Sequence, residues 1–263
     1  MSDFKQSPLK WVGSKNKVLP QLFEFSQFKK LWKYDGFVEP FVGAGNVFLN
    51  VEHDNITISD NNPDLINFYK VVKNNFNKFL TLAKIKFQNT SSDEYYKNRK
   101  IFNSIGGVEN SIEKAVLFIY LNKVGFRGLC RYSEKSGFNV SFGHYKTVNF
   151  PEELLINLHK KLQNVTIKNK SFVDTLRNVE HKNFLYYCDP PYFETFDAYT
   201  KDGFNTEDHI ILNGLCINSK SDVILSNSIE AKNIYTPDDV KDIIVKRGIG
   251  SRSIKESVFI YNS

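Results

Sequence analysis

Cysteine and long apolar runs are scarce in this sequence. Among 263 residues there are three cysteines, Cys130, Cys188 and Cys216, and no C-x-x-C pair. An odd number without metal-binding spacing argues against a disulfide framework or a zinc cluster and favours a reducing compartment. No apolar run approaches the roughly 18 residues that a membrane helix needs. The stretch from Met1 to Lys15 is charged and interrupted by Pro8. It therefore predicts no secretion signal.

The charge of the chain is only slightly uneven. Lysine and arginine number 35 against 29 acidic residues, which gives a formal net charge of +6. The 41% of hydrophobic residues is enough for a packed core and excludes wholesale disorder. A basic excess suits a polyanionic partner, but an AT-rich genome that favours lysine codons gives the same excess. The position of the basic residues must decide between these explanations.

Short apolar strands alternate with helical segments in both halves of the chain. Strands are predicted at 37–39, 56–58, 184–188 and 223–225, a helix start at 47–51 and a helix at 63–72. Such alternation predicts an α/β protein with a mostly parallel sheet. Ligands of these sheets bind beyond the carboxyl ends of the strands. The polar residues expected there are Glu39, Asp60, Asp189 and Ser226.

Between residues 75 and 160 the pattern becomes mostly helical. A helix is predicted from Glu113 to Val124, followed by a hairpin that turns between Ser133 and Gly137. We therefore predict one α/β domain at 1–74 and 161–263, with an inserted, mostly helical module at 75–160 that carries the β-hairpin.

The sharpest motif is Asp189-Pro190-Pro191-Tyr192, directly after an apolar strand. Two prolines cannot extend the sheet, and they hold a rigid, extended turn. A carboxylate, a prolyl carbonyl and an aromatic ring at one turn suit a planar amine. Taken alone, these four residues fit an ordinary strand-to-loop turn with a solvated aspartate equally well.

A second motif is the turn from Glu39 to Gly45, which contains Gly43-Ala44-Gly45. Its glycines allow a ligand to approach the backbone closely, but a third glycine and a phosphate loop are absent. A zwitterionic or nucleoside ligand is therefore favoured over a phosphate cofactor, with Asp60 placed to accept ribose hydroxyls. Alone, this turn favours simple packing, and the segment from Pro8 to Lys15 favours an ordered tail with a buried Trp11.

Together these segments resemble the Dam family of DNA adenine-N6 methyltransferases. The matching blocks keep the family's order and spacing over nearly the whole chain. They are Leu9-Lys10-Trp11-x-Gly13-x-Lys15, Val38 to Asn50, Asp60-x-Asn62-x-Asp64-Leu65-Ile66, Tyr120-Leu121-Asn122, Gly128 to Tyr132, Phe138-Asn139-Val140, Asp189 to Tyr192, and Leu225-Ser226-Asn227.

The resemblance implies a Rossmann-like methyltransferase fold, S-adenosylmethionine (AdoMet) as methyl donor and no metal. It implies a cofactor site made of Trp11, Lys15, Glu39, Pro40, Phe41, Gly43, Gly45, Asp60, Phe172 and Asp189. The implied catalytic residues are Asp189, Pro190, Pro191 and Tyr192. In that role Asp189 and the Pro190 carbonyl hold the N6 amine of an adenine flipped out of the duplex, and Tyr192 stacks on its ring.

The segment from Gly125 to Lys146 carries four basic residues and five aromatics against one acid, Glu134. From the residues alone, a solvated hairpin with packed aromatics is slightly favoured. The resemblance instead implies double-stranded DNA and the target GATC. Arg131 then reads a guanine, Phe126 intercalates beside the flipped base, and Leu129 touches a thymine methyl.

The expected DNA-binding set is Lys10, Phe126, Arg127, Leu129, Arg131, Ser141, His144 and Lys146, with Lys10 at the first guanine. Three members depart from the family: Arg127 replaces a small amide, Ser141 a proline and His144 an arginine. These departures bear on fine specificity and affinity. Five basic residues between 241 and 255 are expected to add phosphate contacts.

Two alternatives stay open: an adenine methyltransferase with another or a relaxed target, and a catalytically inactive DNA-binding homologue. Asp189, rather than Ser or Asn, before Pro-Pro-Tyr weighs against cytosine-N4 or protein glutamine as acceptor. We expect a monomer in the cytoplasm, at the nucleoid, encoded by a bacterium or a phage. The sequence leaves open whether a restriction endonuclease accompanies it.

Overall fold

The computed structural model describes residues 4–107, 109–133, 135–178, 182–193, 204–246 and 253–263. Two parts of the sequence-based predictions lie outside these ranges. They are Glu134 in the hairpin and residues 247–252 of the basic stretch.

Strands in the described ranges form one large sheet and one hairpin. They are β1 Gly36–Glu39, β2 Ile56–Asp60, β3 Tyr132–Ser133, β4 Gly137–Phe138, β5 Val165–Asn169, β6 Phe184–Cys188, β7 Asp222–Ser228, β8 Asp239–Lys246 and β9 Ser253–Tyr261. The large sheet has seven strands in the order β5-β2-β1-β6-β7-β9-β8. Strand β1 runs parallel to β2 and β6, and β6 runs parallel to β7. Strand β9 is antiparallel to β7 and β8. The predicted α/β class with a mostly parallel sheet is confirmed.

Helices connect these strands and fill the middle of the chain. They are α1 Leu19–Leu22, α2 Ser26–Lys29, α3 Pro63–Asn74, α4 Phe76–Lys86, α5 Ser92–Ser104, α6 Ile112–Val124, α7 Glu152–Leu162, α8 Phe172–Leu176 and α9 Thr206–Ile217. Side-chain caps fix several of their starts. The Asn62 side chain, for example, accepts the backbone N–H groups of Asp64 and Leu65 at the start of α3.

Two local predictions differ from the structure. The helix start expected at 47–51 is only a 3-10 turn, Phe48–Asn50. There the Asn50 side chain bonds the Asn46 carbonyl, while the Asn50 backbone N–H bonds Val47, so the turn closes one residue early. Ser226 lies inside β7, fully buried, because that strand continues to Ser228.

The chain divides into two compact units. The first unit comprises Met1–Ser14, Gly43–Asn50 and Asn62–Asn169. The second comprises Lys15–Val42, Val51–Asn61 and Lys170–Ser263. The division into domains at residues 75 and 160 stays a prediction.

In the first unit, the N-terminal segment is fixed at Lys10. Asn122 on α6 accepts the Lys10 backbone N–H at 2.9 Å and donates to its carbonyl at 2.7 Å. Gly128 has φ +66° and approaches Lys10 so closely that a Cβ on Gly128 would overlap the Lys10 Cβ. The backbone geometry at Gly128 therefore requires glycine.

In the second unit, an aromatic core surrounds a buried histidine. His209 is 2% exposed, and its Nδ1 lies 2.6 Å from the Tyr235 hydroxyl. Phe193 and Phe204 make edge contacts with its ring. Burial lowers the pKa of His209 to about 4, and the nearby Asp208 opposes this shift.

We predict that Gly128→Ala lowers the free energy of unfolding by about 1–3 kcal/mol, because a Cβ adds both backbone strain and overlap with Lys10. The matched control is Gly214→Ala in α9, where a Cβ meets no atom within 4 Å. This control should gain about 0.5–1 kcal/mol from helix propensity. Urea denaturation measures both. Equal stability of the two variants would contradict the close approach at Gly128.

We also predict that acid destabilises the fold through His209. The unfolded histidine protonates near its ordinary pKa of about 6.5, whereas the folded one stays neutral until about pH 4. Stability should therefore fall as the pH drops from about 6.5 toward 4, by on the order of 1–2 kcal/mol at pH 5. The variant His209→Gln should lack this part of the loss. Identical pH dependence of unfolding in the two proteins would refute the prediction.

Candidate active site and nucleic-acid interface

Three carboxylates of the second unit follow the ends of neighbouring parallel strands. Val38 of β1 lies opposite Thr57 of β2 and Tyr186 of β6, so the three strands end at the same edge. Glu39 and Asp60 end β1 and β2, and Asp189 follows β6. Glu39 is buried, whereas Asp60 and Asp189 are half-buried. The sequence correctly predicted a polar edge here.

A buried ammonium group, that of Lys15, contacts Asp189 and a further acid, Glu256. Its Nζ is 2.7 Å from Asp189 Oδ1 and 3.9 Å from Glu256 Oε2, and it donates to the Tyr192 hydroxyl at 2.7 Å. The Lys15 side chain is only 4% exposed. Because a buried charge needs partners, these contacts account for its position.

The Tyr192 hydroxyl links this lysine to a second acid. It donates to Glu256 Oε2 at 2.6 Å while it accepts from Lys15. Burial raises the pKa of Tyr192 far above its ordinary value, and the carboxylates of Asp189 and Glu256 raise it further. The phenol therefore stays protonated and neutral.

The turn that contains Asp189 is also fastened at its far end. The Phe193 backbone N–H donates to Asn227 Oδ1, and the Phe193 carbonyl accepts from Ser228 Oγ, both at 2.9 Å. Of the two prolines between Asp189 and Tyr192, Pro190 is buried and Pro191 is exposed. Contacts at both ends thus fix the direction in which this turn presents Asp189 and Tyr192.

Two aromatic rings of the same unit stack on each other. Phe41 and Phe172 stack with centroids 5.4 Å apart at 23°, and Phe204 packs edge-on against Phe41. Both stacked rings are half-buried. An ammonium, several carboxylates and aromatic rings are the groups that bind an amino-acid zwitterion, hydroxyls and a purine. The side chains of this unit therefore fit a nucleoside cofactor that carries an amino acid. Pro40, which is buried, stands in the sequence between the carboxylate of Glu39 and the ring of Phe41.

The other candidate cofactor residues lie in the first unit. Gly43 has φ +44°, and a Cβ on it would lie 2.9 Å from the Trp11 indole nitrogen. Tyr69 donates to the Gly43 carbonyl at 2.8 Å. Gly45 also has a positive φ, +75°. Trp11 and the glycine turn are therefore brought together, as the half-buried indole packs directly over Gly43.

The segment from Gly125 to Lys146 in the first unit exposes basic side chains, some of which are held by hydrogen bonds or ring contacts. Arg131 is exposed, and its Nε donates to Asn139 Oδ1 at 2.7 Å. Phe126 is 40% exposed, with the Arg127 guanidinium 5.1 Å from its ring centroid. These side chains present cationic and stacking groups to solvent, which suits nucleic acid.

Tyr145 joins Lys10 to Arg127, which lies in the 3-10 turn Phe126–Gly128 before the hairpin. The Lys10 ammonium lies 3.7 Å from the Tyr145 ring centroid, and the Tyr145 hydroxyl accepts the Arg127 backbone N–H at 2.9 Å. Burial lowers the pKa of Lys10. Lys10, which is far from Phe126 and Arg127 in the sequence, is therefore brought close to them in the structure.

The remaining candidates occupy the same segment. Ser141, His144 and Lys146 are exposed, and Leu129 is half-buried. The Ser141 carbonyl accepts the Phe126 N–H at 2.9 Å, so it supports the exposed ring through the backbone.

Sequence reasoning missed the roles of Glu256, Asn139 and Tyr145. Asn139 belongs to a recognised motif, and Tyr145 was counted among the interleaved aromatics, but neither pattern indicates a partner. Glu256 directly follows the basic stretch 241–255. An acidic residue beside so many basic ones is the sequence signal that could have indicated a role for it.

Metal sites and membrane spans were searched in the described ranges. These ranges hold no group of three or more His, Cys, Asp or Glu side chains arranged to bind a metal ion. Within the same residues, no helix has the length and apolar character of a membrane span.

Comparison with known proteins gives one consistent family. The model of the D12 class N6 adenine-specific DNA methyltransferases matches residues 11–250. The retron Ec67 DNA adenine methylase of Escherichia coli is 35% identical over 92% of this chain and 85% of its own length. The DNA adenine methylase of Salmonella typhi is 34% identical over 92% and 88%. That of Vibrio cholerae is 36% identical over 78% and 73%. The chain therefore belongs to the D12 class of N6 adenine-specific DNA methyltransferases.

Proposed function

We propose that this enzyme transfers a methyl group from AdoMet to N6 of adenine in GATC, within double-stranded DNA, as a monomer. The observation that carries the proposal is the acidic turn at Asp189, which lies at the carboxyl edge of the sheet and is fastened at both ends. Residues 75–160 serve as the target-recognition domain, and 1–74 with 161–263 as the catalytic domain.

Cofactor binding uses the groups already described. Lys15 pairs with the amino-acid part, Asp60 accepts ribose hydroxyls, and Phe41 with Phe172 flanks the purine. Glu39 and Pro40 contribute from the same unit. For Trp11, Gly43 and Gly45, a role at the cofactor rests on the family resemblance. When bound, AdoMet supplies a methyl group already activated on a cationic sulfur, so the chemistry requires no metal.

Asp189 orients the acceptor nitrogen. The N6 lone pair is delocalised into the adenine ring, which makes the amine a poor nucleophile. The Asp189 carboxylate and the Pro190 carbonyl accept its two N–H groups and favour a tetrahedral nitrogen. On accepting the methyl group, N6 would release one proton to solvent, while the Asp189 carboxylate and the Pro190 carbonyl would hold the nitrogen in place. Positioning and electrostatics account for this catalysis.

Base flipping brings the adenine to this turn. A paired base cannot reach a carboxylate at a sheet edge, so the base must leave the duplex at a cost of a few kcal/mol. Stacking on the Tyr192 ring offsets part of that cost. The hydrogen bonds of the Tyr192 hydroxyl to Lys15 and Glu256 support this role because they hold the ring in place.

Sequence reading depends on the hairpin. Arg131 suits bidentate recognition of a guanine edge in the major groove, and Asn139 holds its guanidinium in one orientation. Lys10 contacts the first guanine, Phe126 intercalates, and Leu129 touches a thymine methyl. The basic residues between 241 and 255 add phosphate contacts.

A second candidate is an adenine methyltransferase whose target is not GATC alone. The observation that favours it is the position of Arg127, whose guanidinium lies beside the exposed Phe126 ring. A cation at that position can contact bases that the family's small amide does not reach. Ser141 and His144 also depart from the family in the exposed part of this segment.

We predict that Asp189→Ala lowers the rate of methyl transfer by at least about 100-fold, because the acceptor amine loses its carboxylate. The fold, measured by circular dichroism, should stay intact. The matched control is Asp54→Ala, an exposed aspartate in the bend before β2, with an unchanged rate. A Asp189→Ala variant that kept most of its activity would exclude this role.

For Arg131→Ala we predict a loss of specificity rather than of chemistry. The preference for GATC over a duplex with the recognised guanine replaced should fall about 10–100-fold, as expected for one bidentate contact of about 1–3 kcal/mol. The control is Lys135→Ala, exposed in the same hairpin. It should weaken binding to both duplexes equally and reduce the salt dependence of binding. An unchanged preference in Arg131→Ala would remove Arg131 from base reading.

A further inference from the structure

Glu256 occupies an unusual position for a carboxylate. It lies within β9, opposite Ser228 of β7 and Ile243 of β8, and is 1% exposed. A carboxylate buried in the interior of a sheet destabilises the fold unless it is paired. Its partners include the Tyr192 hydroxyl at 2.6 Å and the Lys15 ammonium at 3.9 Å.

The first of these contacts fixes the orientation of a ring. A phenol has one proton to donate, and Tyr192 donates it to Glu256 while its oxygen accepts from Lys15. The hydroxyl is therefore held from two sides. Removal of Glu256 would leave that proton without its acceptor and release one of the two restraints.

The second contact affects Asp189. Lys15 lies 2.7 Å from Asp189 Oδ1, the same carboxylate that must accept the N6 amine. Without the charge of Glu256, the ammonium would bind the Asp189 carboxylate more tightly and weaken it as an acceptor. Glu256 provides Lys15 with a second negative partner, which leaves Asp189 more negative toward the substrate.

We propose that Glu256 is a positioning residue for methyl transfer, which holds the Tyr192 ring through its hydroxyl and shares Lys15 with Asp189. This role rests on the proposed function, since Tyr192 and Asp189 act on the target adenine there. Glu256 itself does not touch the base.

The experiment compares Glu256→Ala and Glu256→Gln with the wild type in single-turnover methyl transfer, on a duplex that the wild type methylates. Glutamine keeps an acceptor for the Tyr192 hydroxyl but carries no charge. We expect a loss of about 100-fold for alanine, as a misplaced group can cause, and a recovery of about tenfold for glutamine. The thermal midpoint and AdoMet affinity are measured beside the rate.

The matched control is Asp222→Asn. Asp222 accepts the Tyr34 hydroxyl at 2.6 Å, the same kind of bond, at the amino end of β7 and away from Asp189. Its loss should lower stability without changing the rate. If the role of Glu256 were purely structural, Glu256→Gln would, like Asp222→Asn, lower the stability and leave the rate of methyl transfer unchanged.

A double-mutant cycle with Tyr192→Phe provides the second test, and it uses the glutamine variant if alanine does not fold. Because the two residues share one hydrogen bond, replacing Glu256 should cost less in the Tyr192→Phe background than in the wild type. Wild-type rates in both Glu256 variants, or fully multiplicative effects, would overturn the proposal. A wild type that does not methylate adenine would instead refute the proposed function.

Discussion

The buried ammonium of Lys15 is the constraint on which the acidic edge depends. An almost fully buried cation is tolerated only where acids surround it, and here Asp189, Glu256 and the Tyr192 hydroxyl do so. The same contacts place the carboxylate and the ring of the Asp-Pro-Pro-Tyr turn. The prolines restrict the backbone, and Asn227 and Ser228 bind the end of the turn. Asp189 and Tyr192 therefore need little rearrangement during the reaction.

In the first unit, contacts with neighbouring residues hold exposed cationic side chains in fixed orientations. Asn139 fixes the Arg131 guanidinium, and Tyr145 joins Lys10 to the Arg127 backbone. Each support restricts a long side chain before any partner arrives, so less conformational entropy is lost when DNA binds. The absence of a side chain at Gly128 lets the N-terminal segment and the hairpin approach each other.

Much of the fold could be predicted because its signals are local. Apolar strands with β-branched residues, followed by acids or glycines, gave β1, β2 and β6 and the polar edge that they share. Strands β8 and β9 are not predicted from the sequence, because their charged residues interrupt the apolar pattern and antiparallel pairing has no local signal. Ser226 was misplaced because a strand's end depends on its neighbour, β9. The contact between Lys15 and Glu256 joins opposite ends of the sequence, and only folding reveals it.

The most direct test of the account is transfer of labelled methyl from AdoMet to two duplexes. One contains a single GATC, and the other is identical except that the adenines of that site already carry N6-methyl groups on both strands. We predict label in the first duplex only. An N6-methylated adenine keeps one N–H group and therefore cannot donate to both the Asp189 carboxylate and the Pro190 carbonyl. Equal labelling of both duplexes would contradict the GATC target, and no labelling of either would contradict the proposed reaction.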